Sequence, residues 1–272
     1  MYNSQIMRYK KITSLSNPLV REAMRIKEGR GSERHAILIE GHRLLEMARA
    51  SDAGIRKIFF TEAYRSGHEG FLGQLPEKAA ELIETTEHIL SKIADTETPQ
   101  GIVAEASYKR HKLHELSLQR SPLIVVCDGI QDPGNLGTII RTADAAGADA
   151  VVFLPGTCDP FMPKAVRASA GSIFNIPVLF SEPAALMEWL RKKSISLMVS
   201  DVHASPSIYD TDMRKPLAFV FGNEAFGVSE YLKGRSDMRV SIPIPGKAES
   251  LNVATSAAIC LYEAVRQRGG PA

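Results

Sequence analysis

From Leu123 onward the chain keeps one rhythm, in which short, unbroken apolar runs are separated by stretches of helical spacing. The runs are LIVVCD (123–128), AVVFL (150–154), IPVLF (176–180), ISLMVS (195–200), LAFVF (217–221) and MRVSIPI (238–244). A strand with one face in water alternates apolar and polar residues. Most of these runs do not, as expected of strands covered on both faces. Predicted helices at 136–146, 163–170, 183–193 and 227–233 lie between them, and a long one at 250–268 closes the chain. Strands alternating with helices imply a mostly parallel sheet with helices on both sides, so the fold class is α/β.

The preceding residues carry a smaller alternation. Asn17-Pro18 starts the first helix, because Asn caps and Pro suits a first helical position whose N–H would go unpaired anyway. AILIE (36–40), IRKIFF (55–60) and GIVAEAS (101–107) read as strands, and 42–50, 76–82 and 87–94 as helices. The polar, basic stretch from Tyr108 to Pro122 reads as a linker. The expected organisation is an accessory domain at 1–105, a linker at 106–120 and a second domain at 121–272.

Charge and cysteine content narrow the function. The net charge of +2 over 272 residues points to no partner by itself, but its distribution does. From Met1 to Arg34 eight Lys/Arg stand against three Glu, which makes Arg21, Arg25, Lys27 and Arg30 candidates for phosphate contacts. Cys127, Cys158 and Cys260 are odd in number and far apart, which indicates neither a disulfide framework nor a thiolate zinc site and fits a reducing cytoplasm. His111 and His114 form H-x-x-H without an acidic partner, and no metal is expected. No secretory leader and no uncharged apolar stretch of about 18 residues is visible, so a cytoplasmic protein is expected. The sequence lacks a G-x-G-x-x-G dinucleotide fingerprint, a G-x-x-x-x-G-K-[ST] phosphate loop and a G-x-S-x-G nucleophile elbow.

Three segments of the second half follow strand ends, where ligands gather in open α/β sheets. In DGIQDPGNLGTIIRTADAAGA (128–148), Gly134 and Gly137 allow a tight turn with Asn135 beside it, and Arg141 follows one helical turn later. In FVFGNEAFGVSE (219–230), Gly222 lets a ligand approach the backbone, with Asn223 and Glu224 next to it. In SIPIPGKAESLNVATSAAICLYEAV (241–265), prolines break regular structure and Ser250 and Asn252 stand where the last helix begins. The residues alone leave a plainer account open. Arg141 then lies on an ordinary helix surface, Asn223 caps a turn beside a solvated Glu224, and Glu249–Ser250 is helix-capping chemistry.

Taken in order, NLGTIIRTADAAGA, FVFGNEAFGVSE and IPIPGKAESLNVATSAAICLYEA resemble the three motifs of the SpoU (TrmH-like) family of RNA 2′-O-methyltransferases. KAVRASAGSIFNIPV (164–178) resembles the family's connecting segment. ILIEGHRLL and TPQGIVAEAS resemble an accessory RNA-binding domain, similar in fold to a small ribosomal protein. The resemblance covers nearly the whole chain.

The resemblance implies an α/β catalytic domain with a C-terminal trefoil knot, working as a homodimer packed through that domain. S-adenosylmethionine would be held by Gly222, Ile242 and Leu251, and Asn135, Arg141, Glu224, Ser250 and Asn252 would surround the reacting ribose. The substrate would be ribosomal or transfer RNA, with ribosomal RNA preferred. The family's proposed base is the Arg matching Arg141, yet a guanidinium stays charged. The preferred reading has Arg141 hold an RNA phosphate and stabilise the developing alkoxide, the proton leaving through a phosphate oxygen, water or Glu224. Two other classes stay open: a catalytically silent RNA-binding or ribosome-assembly protein, and a methyltransferase acting on a base or a small molecule. Arg141, Glu224 and Asn252 speak against the first, and the accessory domain speaks against a small-molecule substrate.

Overall fold

The computed structural model describes residues 8–32, 35–51, 53–74 and 80–269. Two compact units divide the chain. One runs to Lys109 and takes in Phe161–Pro163; the other consists of Arg110–Pro160 and the chain from Lys164 onward.

The first unit comprises β1 (Lys10–Ile12), α1 (Pro18–Lys27), β2 (Ala36–Glu40), α2 (His42–Ala50), β3 (Gly54–Thr61), α3 (Glu62–Gly73), β4 (Glu81–Thr85), α4 (Glu87–Ile93) and β5 (Ile102–Ser107). Its mixed sheet has the order β1-β4-β3-β5-β2, with β5 antiparallel to both β3 and β2. Asn17 caps α1 as expected, its Oδ1 accepting the Leu19 N–H at 2.9 Å. Of the helix expected at 76–82, residues 76–79 lie outside the described residues, while Glu81 and Leu82 are corrected: they open a strand, 81–85, between β1 and β3. Leu82 and Ile83 are buried there, and Glu84 can be buried because it pairs with Lys11 (2.9 Å) and Arg65 (2.8 Å).

Charge in α1 is partly committed. Lys27 Nζ donates to the carbonyls of Lys92 (3.1 Å) and Ala94, closing the C-terminal end of α4, and Arg30 pairs with Glu28. Of the expected phosphate contacts Lys27 is therefore a helix cap, while Arg21 is exposed and Arg25 lies 3.9 Å from the Glu22 carboxylate. Arg34 lies outside the described residues.

The second unit comprises β6 (Leu123–Asp128), α5 (Pro133–Ala145), β7 (Ala150–Phe153), α6 (Pro163–Ala168), β8 (Val178–Phe180), α7 (Pro183–Lys193), β9 (Ser196–Ser200), β10 (Leu217–Gly222), α8 (Glu230–Lys233), β11 (Met238–Val240) and α9 (Val253–Gln267). All six strands are parallel, in the order β11-β9-β10-β6-β7-β8. β6 and β10 are buried at every position, which explains their unbroken apolar runs. One face packs on Leu186, Trp189 and Leu190 of α7 and Leu232 of α8; α5 and α9 lie together on the other. Each fully buried Leu or Val contributes about 1.5–3 kcal/mol, so a sheet covered twice holds its loops firmly.

Residues 110–120 pack on this second unit. Leu113, Leu116 and Leu118 cover its core, and the buried Asp149 carboxylate accepts the N–H groups of Gln119 (2.7 Å) and Leu123 (2.9 Å).

Candidate active site

The carboxyl ends of β11, β9, β10 and β6 meet on one rim of the parallel sheet, and the loops that follow them build the site. After β6 the chain turns at Gly129 and enters α5 earlier than the sequence suggested. Asp132 caps α5, its Oδ1 accepting the Asn135 N–H at 2.9 Å, and Pro133 takes the first turn. Gly134 and Gly137 therefore lie inside a helix, not in the expected tight turn. Gly137 is required for a different reason. A Cβ there would sit 2.3 Å from the Ala165 carbonyl oxygen, 2.6 Å from the Ala168 Cβ and 2.9 Å from the Ser169 N, so only glycine lets α5 lie this close to α6.

After β10 the chain folds into a tight loop closed by reciprocal backbone hydrogen bonds between Asn223 and Gly227, both 2.9 Å. The Asn223 side chain accepts the N–H groups of Ala225 (2.8 Å) and Phe226 (3.1 Å) and donates to the Gly129 carbonyl (2.8 Å). Gly222 anchors this loop. The space a Cβ would need is filled by the chain's own Gly227–Val228 backbone at 2.2 Å, so its side-chain direction is closed by protein and not by ligand.

The loop carries Glu224 to the start of α5. Its carboxylate accepts the N–H groups of Gln131 (3.1 Å) and Asp132 (3.3 Å) and the Asn135 Nδ2 (3.0 Å). Burial pushes the Glu224 carboxyl up, but the hydrogen bonds from Asn135, Gln131 and Asp132 prevail and hold it below the usual carboxylate range. Asn135 Oδ1 in turn accepts Asn252 Nδ2 at 3.0 Å. Asn252 caps α9, its Oδ1 accepting the N–H groups of Ala254 (2.9 Å) and Thr255 (3.3 Å). The last helix thus begins at Val253 rather than at Ser250.

A cavity of about 480 Å³ lies between these loops, and Gly222, Glu224, Ile242, Ser250, Leu251 and Asn252 all line it. Asn135 joins them through its hydrogen bonds to Glu224 and Asn252. Arg141 stands apart. It is exposed on α5, two i,i+3 steps beyond Asn135, and among the described residues it makes no hydrogen bond or ion pair. Sequence reasoning missed Asp201 after β9, which also lines the cavity, and the pair of Asp132 with Lys164 Nζ at 2.7 Å. The Asp132-Pro133 dipeptide was the available signal for the latter, being a cap followed by a first-turn proline. Among the described residues no His, Cys, Asp and Glu cluster suited to a metal ion is present.

Known families match both halves of the chain. The chain matches the SpoU rRNA Methylase family over residues 122–262 and the MRM3-like substrate binding domain over residues 17–104. It is 34% identical to the 23S rRNA (guanosine(2553)-2′-O)-methyltransferase RlmP of Bacillus subtilis (strain 168), with 93% of this chain and 98% of that protein aligned. It resembles the crystal structure of an AdoMet-bound rRNA methyltransferase from Sinorhizobium meliloti with a TM-score of 0.85 at 30% identity, covering 95% of this chain and 98% of that one. The SpoU methyltransferase AviRb from Streptomyces viridochromogenes, in complex with the cofactor AdoMet, gives 0.85 at 28% identity over 94% of this chain and 100% of that one. Matched along its catalytic half and nearly end to end with such relatives, the chain belongs to the SpoU rRNA Methylase family.

Proposed function

We propose that this protein transfers a methyl group from S-adenosylmethionine to a ribose 2′-hydroxyl of large-subunit ribosomal RNA. The observation that carries this reading is the bonded set Glu224, Asn135 and Asn252 beside a cavity at the carboxyl ends of β9, β10 and β11. The cavity fits the cofactor: its volume falls in the roughly 300–1,000 Å³ range of small-molecule sites, Ile242, Ile244 and Leu251 give an apolar wall, and Asp201 and Glu224 add two carboxylates. The family's trefoil knot belongs to the same reading, in which the segment from β11 to α9 tucks Asn252 against α5.

Bound there, S-adenosylmethionine supplies an electrophilic methyl group on a sulfonium. The protein must align the attacking oxygen and manage its proton. Glu224 is a poor proton acceptor, because three donors already occupy its carboxylate and favour its charged form. Its task in this reading is to hold Asn135, which with Asn252 and Ser250 orients the ribose. Arg141, exposed and uncommitted on α5, holds the adjoining phosphate and stabilises charge growing on the 2′-oxygen. The proton then leaves to a phosphate oxygen or water.

The remaining parts of the reading concern assembly. Residues 1–105 add affinity and target choice, 106–120 join the parts, and 121–272 hold the catalytic apparatus. The protein works as a homodimer through the second unit: α9 buries Ala257, Leu261 and Ala264 within its own unit but leaves Tyr262 51% exposed and Ala258, Ile259 and Val265 only partly covered. Among the described residues no helix is long and apolar enough to cross a membrane. The proposed location is the cytoplasm, which the likeness to bacterial rRNA methyltransferases supports. The test is methyl transfer from labelled S-adenosylmethionine to unmodified ribosomal RNA, followed by digestion to nucleosides. Label on a ribose supports the proposal. Label on a base, or none, overturns it, the latter leaving an RNA-binding protein that kept the fold.

A further inference from the structure

Asp201 is a charged residue of the cavity to which the catalytic reading gives no task. It follows β9 directly and prolongs that strand's pairing, its N–H donating to the Val240 carbonyl at 3.0 Å. Its side chain is only 13% exposed, yet it is sparsely partnered. Oδ1 accepts the His203 N–H at 3.1 Å, which closes the turn after β9. Oδ2 lies 3.9 Å from Arg239 Nη1, too far for a hydrogen bond. Glu224, the other carboxylate lining the cavity, has three donors. A shielded carboxylate with lone pairs open toward a cavity favours a ligand that brings hydroxyl or ammonium donors.

The strand order says which donors. β9 lies between β11 and β10 in the sheet, so Asp201 stands between the two loops that form the ends of the cavity. The β11 side supplies Ile242 and Ile244, an apolar wall suited to a flat heterocycle. The β10 side supplies Glu224, bonded to Asn135, where the reacting group belongs. In S-adenosylmethionine the ribose joins the adenine to the sulfonium arm. A molecule laid across the cavity with its adenine toward β11 and its sulfur toward β10 has its ribose over the end of β9. We infer that Asp201 binds the 2′,3′-diol of the cofactor's ribose, accepting both hydroxyls. The inference rests on the cofactor assignment above. It gives a strand-end carboxylate the task such groups perform on ribose in other nucleotide-binding sheets.

Asp201→Asn separates this from a turn-forming role, because asparagine keeps an oxygen for the His203 N–H and loses only the charge and the second acceptor. The full-length protein and the variant are titrated calorimetrically with S-adenosylhomocysteine, with its 2′,3′-dideoxy analogue and with its deaminated analogue. Wild type is expected to bind S-adenosylhomocysteine roughly ten- to hundredfold more tightly than the variant does. The dideoxy analogue is expected to bind both proteins alike, and the deaminated analogue to keep the full difference. Equal affinity of both proteins for S-adenosylhomocysteine overturns the inference, as does an equal loss with the dideoxy analogue. A difference that vanishes only with the deaminated analogue reassigns Asp201 to the ammonium group and overturns it as well. Wild type that binds none of the three overturns the cofactor assignment itself, a result distinct from the others.

Discussion

Gly137→Ala sets two effects of opposite sign against each other. In an isolated helix the change is favourable, because alanine exceeds glycine in helix propensity by about 1 kcal/mol. In α5 the new methyl would meet the Ala165 carbonyl oxygen at 2.3 Å, the Ala168 Cβ at 2.6 Å and the Ser169 N at 2.9 Å. Relaxed non-bonded contacts lie near 3.5 Å, so α6 would have to withdraw by roughly 1 Å. Two of the three obstacles are backbone atoms, which no rotamer change can move aside. Overpacking of this kind costs about 1–3 kcal/mol and here belongs at the upper end, leaving a net loss of about 2 kcal/mol. For a unit of this size that is a fall of about 4–8 °C in Tm. Thermal unfolding of the full chain, followed by near-UV circular dichroism through Trp189 of the second unit, reads the effect. Thr138→Ala, one position on and exposed, is the control and should shift Tm little. Methyl transfer should fall with stability, because α5 carries Asn135 in its first turn. A Gly137→Ala protein that melts at or above the wild-type temperature would show that helix propensity wins and that α5 and α6 are not held in close contact.

Three further outcomes are expected. Glu224→Gln keeps the shape of the loop but loses the charge that binds Gln131, Asp132 and Asn135, so kcat should drop roughly ten- to hundredfold; an unchanged rate would remove Glu224 from the site. Arg266, 2.8 Å away, holds the Glu263 carboxyl at about 2 instead of 4.5, against the opposing effect of burial. The folded value lies below the unfolded one, so this contribution is complete above pH 4.5 and fades as the pH falls toward 2. Glu263→Gln should lower stability at neutral pH and flatten its loss in that window; an unfolding free energy with the same pH dependence in both proteins, measured by denaturant titration at about pH 2–6, would contradict this. Tyr262→Glu places a charge on the uncovered face of α9 and should convert a dimer into a monomer by light scattering at micromolar concentration; a wild-type monomer would end the dimer proposal.

What the sequence revealed follows burial. β6 and β10 were readable because both faces of the sheet are dry, and a long apolar run has few other uses. β4 was not seen as a strand, its first two residues being read as a helix end, because ELIET is five residues long and a short apolar segment flanked by glutamates fits either a helix or a strand until its neighbours are known. α3 escaped notice because Gly67, Gly70 and Gly73 interrupt it and only Tyr64 and Leu72 are buried, which leaves no stripe to detect. β1 is three residues at a sheet edge. At the site, the motifs identified which residues matter but not how they meet. The bonds from Asn252 to Asn135 and from Asn135 to Glu224 join positions more than eighty residues apart. Gly137 was read into a tight turn but lies within α5, and Gly222, read as a place of ligand approach, lines the cavity. At both, the space reserved by the missing side chain is taken by the protein's own backbone, which local sequence does not show.

The bonds through Asn252 and Asn135 also have a polarity. An ionised carboxylate can only accept, so Glu224 forces Asn135 to present its NH2 group toward it. The Asn135 oxygen is then left for Asn252, whose own NH2 must turn toward it, and the Asn252 oxygen is left for the N–H groups that open α9. Every donor along this path points the same way, from the start of the last helix toward the loop after β10. Neither amide can flip without setting donor against donor at one end and acceptor against acceptor at the other. The two asparagines are locked from both ends, by the Glu224 charge at one and by the N–H groups of α9 at the other. Asn135→Asp shows the dependence: of nearly identical shape, it would place a second carboxylate against Glu224 and break the path there, while Asn252 would keep its orientation from the N–H groups of Ala254 and Thr255.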